Sequence, residues 1–389
     1  MDSPPAPGAS PVTPRRSAPP PWLPRFRGPL HDPRTAVRVG RLLGPLVLVC
    51  FLSGLFSHVL QHPPRFLVDA LPSRPVWGYR LSQGTHVATG IAMIPVLLVK
   101  LWTVYPRLFA WPPARSLAHA LERLSIAVLV AASVFQLATG LLNITQWYPW
   151  PFSFVPAHFA VGWLLFGSVL VHVAVKAPVI VAHWRAARAE GPERADRRAL
   201  LLGAGAAVGA VTLTTVGQSV TPLGATDLLA PRHPDYGPLG LPVNRTARAA
   251  GVREADLDGW RLRVRGPRPY ELSLAELAAL PQHTAHLPIA CVEGWSKGAR
   301  WEGVRVRDLV ARAGAEPGAR LRVVSLERHG TYRVMEMGEE YSRDPLTLLA
   351  LRLNGHALTL DHGSPARIIA PNRPGVLQTK WVAEVEVLR

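Results

Sequence analysis

Five apolar stretches separated by short polar connections occupy the first 220 residues, at about 40–61, 84–105, 116–142, 156–183 and 199–219. Each is long enough to cross roughly 30 Å of hydrocarbon as a helix. Further along, the pattern changes to a period of two. Trp260-Arg261-Leu262-Arg263-Val264-Arg265, Leu321-Arg322-Val323-Val324 and the run from Thr379 to Val387 alternate as half-buried strands do. Short helices are expected at 274–280, with Ser273 as the capping residue, and at 306–313. The chain therefore reads as multidomain: an all-α transmembrane bundle of five spans, then an α+β domain. Its segments are a Pro-rich basic tail read as disordered (1–38), four spans (39–184), a loop with the fifth span (185–220), a Pro/Gly linker (221–244) and the C-terminal domain (245–389).

Composition sharpens this picture. With 48% hydrophobic residues and a mean hydropathy of +0.15, part of the chain belongs in lipid. A net charge of +17 could suggest nucleic acid, but the arginines recur beside apolar runs, so no nucleic-acid partner is expected. They read as topology signals. Arg34, Arg38 and Arg41 precede the first span, Arg107, Arg115 and Arg123 surround the second connection, and Arg185, Arg188, Arg194, Arg197 and Arg198 precede the fifth. The uncharged segment 143–157, with Trp147, Tyr148 and Trp150, fits the outer interface. This places the N-terminus in the cytoplasm of a bacterium and the C-terminal domain outside its cytoplasmic membrane. Asp196-Arg197-Arg198-Ala199-Leu200-Leu201 opens the fifth span as an export signal for the twin-arginine machinery would, or as plain positive-inside charge.

Two cysteines occur, Cys50 in an apolar run and Cys291 in the polar half, so no disulfide framework is expected. Cys291 stands in Leu287-Pro288-Ile289-Ala290-Cys291-Val292-Glu293-Gly294-Trp295-Ser296. Trp301-Glu302-Gly303-Val304, Leu353-Asn354-Gly355, Asp361-His362-Gly363-Ser364-Pro365-Ala366-Arg367 and Pro371-Asn372-Arg373-Pro374-Gly375 follow, with Lys380-Trp381-Val382 at the end. In order and spacing these blocks resemble the sulfite oxidase-like molybdopterin enzymes, over residues 245–389. The resemblance implies a molybdopterin-binding α+β domain in which Cys291 is the catalytic molybdenum ligand. It implies further that Arg367, Arg373 and Lys380 hold the pterin and its phosphate, with Asn354, His362 and Thr379 as polar neighbours. The chemistry agrees, because high-valent molybdenum wants a soft thiolate and an anionic cofactor wants Arg forks and a Lys point charge. Sulfite-oxidising members carry arginines just after the cysteine. Here the stretch 292–296 is similar instead to the periplasmic methionine sulfoxide reductase catalytic subunit, and it reads as an uncharged, Trp-lined approach suited to a neutral sulfoxide.

Histidines inside the apolar runs form a second constellation. His86 opens the second span; His158 and His172 lie on the fourth, 14 residues apart, which is roughly 21 Å of helical rise on nearly one face. His58 lies near the end of the first span. Intramembrane histidines are scarce, and neutral imidazole is a common axial ligand of haem iron. The first four spans also resemble the cytochrome b subunits of respiratory formate dehydrogenases and hydrogenases, which implies haem b, one group or two. His86 with His158 is the leading outer pair, with His58 and His158 the other choice. An inner partner for His172 is not evident, because Arg38 and Arg41 stand where it should lie. The bland reading is that these histidines close hydrogen bonds between helices.

Together the expectations describe an oxidoreductase in which quinone or quinol exchanges electrons at the membrane domain, haem carries them outward, and molybdenum transfers an oxygen atom to or from a small substrate. Reduction of a sulfoxide-like oxo-donor is favoured. Sulfite-type oxidation with electrons passed to quinone is the alternative, and a non-catalytic binding or electron-transfer module is the alternative of another class.

Overall fold

In the computed structural model, residues 29–184, 192–230, 233, 235 and 237–388 are described. The basic tail, in its first 28 residues, and Arg185 and Arg188 of the loop before the fifth span lie outside them. The five apolar runs form helices α1 (Pro33–Gln61), α2 (Gly78–Leu108), α3 (Leu117–Thr145), α4 (Phe154–Trp184) and α5 (Pro192–Leu213). All five are long and apolar enough to cross a membrane. Their surfaces agree: none of the hydrophobic window of α4 is buried, and Leu48, Leu98, Leu124, Leu164 and Val181 are exposed. A water-soluble fold would bury such side chains, whereas a lipid-facing bundle presents them.

Local chemistry fixes the helix ends. The first helix begins at Pro33, seven residues before the apolar run, because the Asp32 side chain accepts from the Arg34 amide and Pro33 is preset at the first helical position. Ser116 caps α3 by accepting from the His119 amide. The fifth helix likewise begins at Pro192, so Arg197 and Arg198 sit inside it. Arg197 is buried, donates to Thr35 Oγ1 and faces Asp32 at 3.6 Å, which ties α5 to the start of α1.

The C-terminal domain holds two sheets. Strands β1 (Arg261–Arg265), β2 (Tyr270–Ser273), β3 (His283–Ala290), β4 (Ser296–Arg305), β5 (Leu321–Ser325), β6 (Val334–Met337), β7 (Leu348–Leu353), β8 (His356–Ala357), β9 (Arg367–Ile369) and β10 (Val382–Val387) are joined by short helices. These are α6 (Ala247–Ala250), α7 (Leu274–Ala278), α8 (Val306–Arg312) and α9 (Glu339–Arg343). One sheet has the order β2-β1-β10-β5-β6, with β1 and β10 parallel; the other runs β3-β4-β7-β8, with β9 also on β7. The alternation read in 261–265 is realised, since Leu262 and Val264 are buried while the arginines between them are exposed. Ser273 caps α7 and Glu276 returns to the Ser273 amide, a reciprocal capping box. Trp260, Leu262, Leu309, Leu321 and Val385 belong to the larger core, and Leu287, Trp295, Trp301 and Leu353 to the second, which also contains Cys291.

The domain is seated on the end of the bundle where α1, α3 and α5 finish and α2 and α4 begin. Asp344 accepts from Ser73 Oγ at 2.9 Å and from both arms of Arg74 at 3.0 Å. Asn372 accepts from the Tyr79 amide at 2.6 Å and donates to Pro72 O. Gly338 packs on the backbone of Val68 so closely that a Cβ would stand 2.1 Å from its carbonyl oxygen. The arginines of the opposite bundle end, Arg41, Arg107 and Arg123, are far from this seam along their helices.

Candidate active site

Cys291 is set at the turn between β3 and β4. Its amide donates to Trp295 O at 2.9 Å and its carbonyl accepts from Gly294 N, a tight loop that needs Gly294 at φ +97°. The cysteine is not disulfide-bonded and is 1% exposed. Residues 292–296, read as an uncharged and Trp-lined approach, are differently placed. Trp295 is buried with Nε1 donating to Glu293 at 3.0 Å, and Glu293, itself buried, also accepts from Gln146 at the end of α3. The Val292 carbonyl accepts from Gln83 of α2, the Gly294 carbonyl from Ser219, and a Cβ on Gly294 would meet Val87 at 2.9 Å. The loop after the cysteine is a seam with the helical half, because Gly294 carries no side chain against Val87 and the Val292 and Gly294 carbonyls take donors from that half.

The cations predicted to hold the pterin are buried in the same domain. Arg367, on β9, donates to the carbonyls of His362 and Gln378, and its Nε is buried without a partner. Arg373 donates to Leu377 O and Glu336 O and lies over the Tyr341 ring; Lys380 donates to Arg245 O and Asp361 O. Among the described residues all three spend their hydrogen bonds on main-chain carbonyls, and no carboxylate bonds them. Burial therefore lowers each: Lys380 to about 7, with Arg367 adding repulsion, Arg367 to about 9 and Arg373 to about 10. Buried positive charge that lacks an anion suits a phosphate-bearing group, so these residues fit the cofactor.

The polar neighbours divide. Burial lowers the His362 imidazole to about 4, so it is neutral; Nε2 donates to Leu241 O, leaving Nδ1 to accept from Thr359. Thr379 is buried between Gln378 and Lys380, and its carbonyl takes the Ile368 amide. Asn354 lies elsewhere, exposed on the β7–β8 turn at φ 50°, where it accepts from the Arg300 amide and donates to Leu239 O.

Several residues near Cys291 carry no signal in the sequence. Tyr332, in the β5–β6 connection, has its phenol raised by burial and then by the Cys291 charge. Arg245, at the end of the linker, forms a 2.8 Å ion pair with Glu327, whose carboxyl burial raises against the pull of that arginine. On the bundle side the Tyr79 ring packs with Leu60 and Ala290, and Gln61 Nε2 donates to its hydroxyl at 3.0 Å. None belongs to a periodic run or a chemically unusual string.

Inside the bundle, His86 and His158 face each other with ring centroids 6.0 Å apart and planes at 87°. His86 Nδ1 donates to Cys50 O at 2.8 Å. Thr139 gives its hydroxyl hydrogen to Phe135 O, so His158 Nδ1 donates to Thr139 Oγ1 at 2.9 Å. Each ring is thus oriented through Nδ1, and no hydrogen bond reaches its Nε2 among the described residues. They line a cavity of about 1510 Å³ running between the helices. A Cβ on Gly54 would lie 2.6 Å from His86, so glycine there makes room for the ring. His58 instead stacks on Phe159 at 3.7 Å, and His172 lies among Lys100, Lys176 and Glu122, the last two paired. Among the described residues no three His, Cys, Asp or Glu side chains converge on a bare metal ion.

Comparison with known proteins gives the domain its family. Residues 249–389 match the family model of the oxidoreductase molybdopterin binding domain. The chain is 30% identical to an uncharacterized oxidoreductase of Bacillus subtilis, YuiH, over 34% of this chain and 66% of that one. It is 30% identical to mitochondrial sulfite oxidase of Rattus norvegicus over 38% and 32%, respectively. Against the protein-methionine-sulfoxide reductase catalytic subunit MsrP of Burkholderia mallei the identity is 26% over 49% of this chain and 68% of that one. The chain thus spans less than two thirds of the length of the first two relatives. The C-terminal domain, residues 249–389, is accordingly an oxidoreductase molybdopterin binding domain with similarity to sulfite oxidase and MsrP, carried behind five helices long and apolar enough to cross a membrane.

Proposed function

We propose that the chain is a membrane-bound molybdenum-pterin oxidoreductase that transfers an oxygen atom outside the cytoplasmic membrane and exchanges electrons with the quinone pool through haem b, reducing a sulfoxide-like substrate. The observation that carries this reading is the seam: Gln83 and Val87 of α2 touch the loop of Cys291, and His86 lies between them on the same helix. Such contact suits direct electron delivery from an imidazole-ligated group to the thiolate-ligated one.

Cys291 would ligate the metal, Arg367, Arg373 and Lys380 would hold the anionic pterin, and His362 and Thr379 would complete the polar wall. The cofactor supplies two-electron oxygen-atom exchange when bound. The chain's own part is to exclude water, since Cys291, Trp295 and Trp381 are all buried, and to neutralise the cofactor's charge. In the bundle, His86 and His158 would hold haem b, whose one-electron chemistry links a two-electron donor to a two-electron site. The extracytoplasmic placement is supported by the arginine-rich bundle end standing opposite the domain. The second reading, oxidation of sulfite with electrons going to quinone, is favoured by Arg245 and Lys380 lying close to Tyr332 and Cys291.

The test is metal and haem analysis of the solubilised chain coupled to turnover of dimethyl sulfoxide with a reduced dye and of sulfite with an oxidised one. We expect molybdenum, a reducible b-type spectrum and the first activity. Sulfite turnover alone selects the second reading, and absence of molybdenum removes both.

A further inference from the structure

Among the groups around Cys291, one comes from outside its domain. Tyr79 stands in the first turn of α2, a helix of membrane length, yet it belongs to one buried cluster with Leu60 and Ala290, the residue before the cysteine. Its position is held at three points. The Tyr79 amide donates to Asn372 Oδ1 at 2.6 Å, Gln61 of α1 donates to the phenolic oxygen at 3.0 Å, and Leu60 and Leu71 pack on the ring. Asn372 in turn is locked at φ 54° and donates to Pro72 O, while the absence of a Cβ on Gly78 lets its side chain come close. Three separate segments thus converge to place one phenol.

Its hydrogen-bonding is unfinished. Gln61 occupies the hydroxyl as an acceptor, but among the described residues the phenolic hydrogen has no acceptor, and the side chain is 1% exposed. A buried donor without a partner is costly, so such a group is retained where something else completes it. The phenol and the Cys291 sulfur are near enough to interact electrostatically, and Tyr332 interacts with both, so a phenol from each half of the molecule lies within electrostatic range of the sulfur. A substrate that delivers an oxygen atom next to Cys291 would bring the acceptor that Tyr79 lacks.

We infer that the substrate pocket is composite: Tyr79, aimed by Gln61, is a substrate-contacting residue that donates its phenolic O–H to the oxygen of a small oxo-donor bound beside Cys291. This rests on Cys291 being the molybdenum ligand. The helical half then does two jobs at one seam, delivering electrons through α2 and completing the pocket from the first turn of the same helix. Neutral donors such as a phenol aimed by a carboxamide suit an S–O or N–O oxygen without requiring net charge on the substrate.

The experiment uses the solubilised, cofactor-loaded full chain as wild type, Tyr79→Phe and Gln61→Leu. Three quantities are read: molybdenum content, the difference between the Mo(V) electron paramagnetic resonance spectra in H₂O and D₂O, and dimethyl sulfoxide turnover. We expect Tyr79→Phe to keep its molybdenum, to lose an exchangeable-proton coupling seen in wild type, and to lower kcat/KM roughly 10- to 100-fold. Gln61→Leu should shift the same coupling with a smaller loss of turnover. A Tyr79→Phe spectrum unchanged from wild type overturns the inference while leaving the molybdenum reading intact, and so does loss of molybdenum from both variants, which would assign the residue to packing. A wild type without molybdenum overturns the underlying reading, and the inference with it.

Discussion

Both halves of the molecule bury polar side chains, and they do so in opposite ways. The C-terminal domain encloses cations, Arg367, Arg373 and Lys380, whose hydrogen bonds go to carbonyls and whose charges have no carboxylate bonded to them among the described residues. The bundle encloses two imidazoles, His86 and His158, each tied through Nδ1 and each lining the cavity between the helices. Uncompensated charge in a low dielectric calls for an anion, whereas an imidazole held through one nitrogen can offer the other to a metal. The contrast is the physical basis for proposing different cofactors in the two halves, since the family match covers only residues 249–389.

The most severe way to break this comparison is at Cys291. Replacing it with Ser removes the soft donor, and we expect oxygen-atom transfer to fall to background while the b-type spectrum stays, because the bundle's ligands are untouched. Loss of both signals would mean that the halves do not hold separate cofactors. Next in size is His86→Ala, which should abolish the reduced-minus-oxidised b-type signal and electron entry from quinol, yet leave dye-driven turnover at the molybdenum centre. His58→Ala should leave the spectrum in place, since that ring is stacked on Phe159. The reverse result would transfer the axial role from His86 to His58.

Lys380 sharpens the domain's side of the comparison through pH. Its folded value, about 7, lies below the usual lysine value, so between roughly pH 7 and 10 the unfolded chain binds the extra proton. The cofactor-free protein should therefore gain stability as pH rises through that window and lose it again on descent. Lys380→Met should flatten this dependence in thermal melts and reduce cofactor retention about 10- to 100-fold. Binding of the anionic cofactor to wild type should take up a proton near pH 8, because a nearby negative charge restores the ammonium form. A titration without proton uptake would place the anion away from Lys380.

How much of this was legible in the residues depends on the range of each interaction. The apolar runs announced the five helices because a lipid-facing surface needs no partner to be recognised, and the alternation of 261–265 announced β1 because burial of Leu262 and Val264 repeats every second residue. Cys291, His86 and His158 stood out because thiols and imidazoles are chemically singular where they occur. Their supporting partners did not. Cys50 serves His86 through a main-chain carbonyl that any residue would offer, and the Tyr79–Asn372 bond spans 293 positions with no period to reveal it. The loop 292–296 reads as an uncharged, Trp-lined approach because it lacks the arginines that follow the cysteine in sulfite-oxidising members; that the helical half covers it depends on Gln83, Gln146 and Ser219, which are distant in sequence and individually ordinary.

The smallest effect tests whether the two halves hold each other at all. Arg74 clasps Asp344 with two 3.0 Å bonds, but the arginine is half exposed while Asp344 is 4% exposed and keeps Ser73 Oγ and the Leu346 amide as donors. Removing Arg74 therefore leaves the buried carboxylate partly satisfied, and solvent screens much of what is lost. A double-mutant cycle of Arg74→Ala and Asp344→Asn, read by thermal unfolding of the solubilised chain, should give a coupling energy of about 1 kcal/mol. Electron delivery from His86 should slow only slightly in the single variants, because Asn372, Gln83 and Ser219 still hold the seam around Cys291. A coupling energy near zero with unchanged delivery would move the weight of docking to those three contacts. A large loss of delivery would instead make the Arg74–Asp344 clasp the hinge on which the two halves meet.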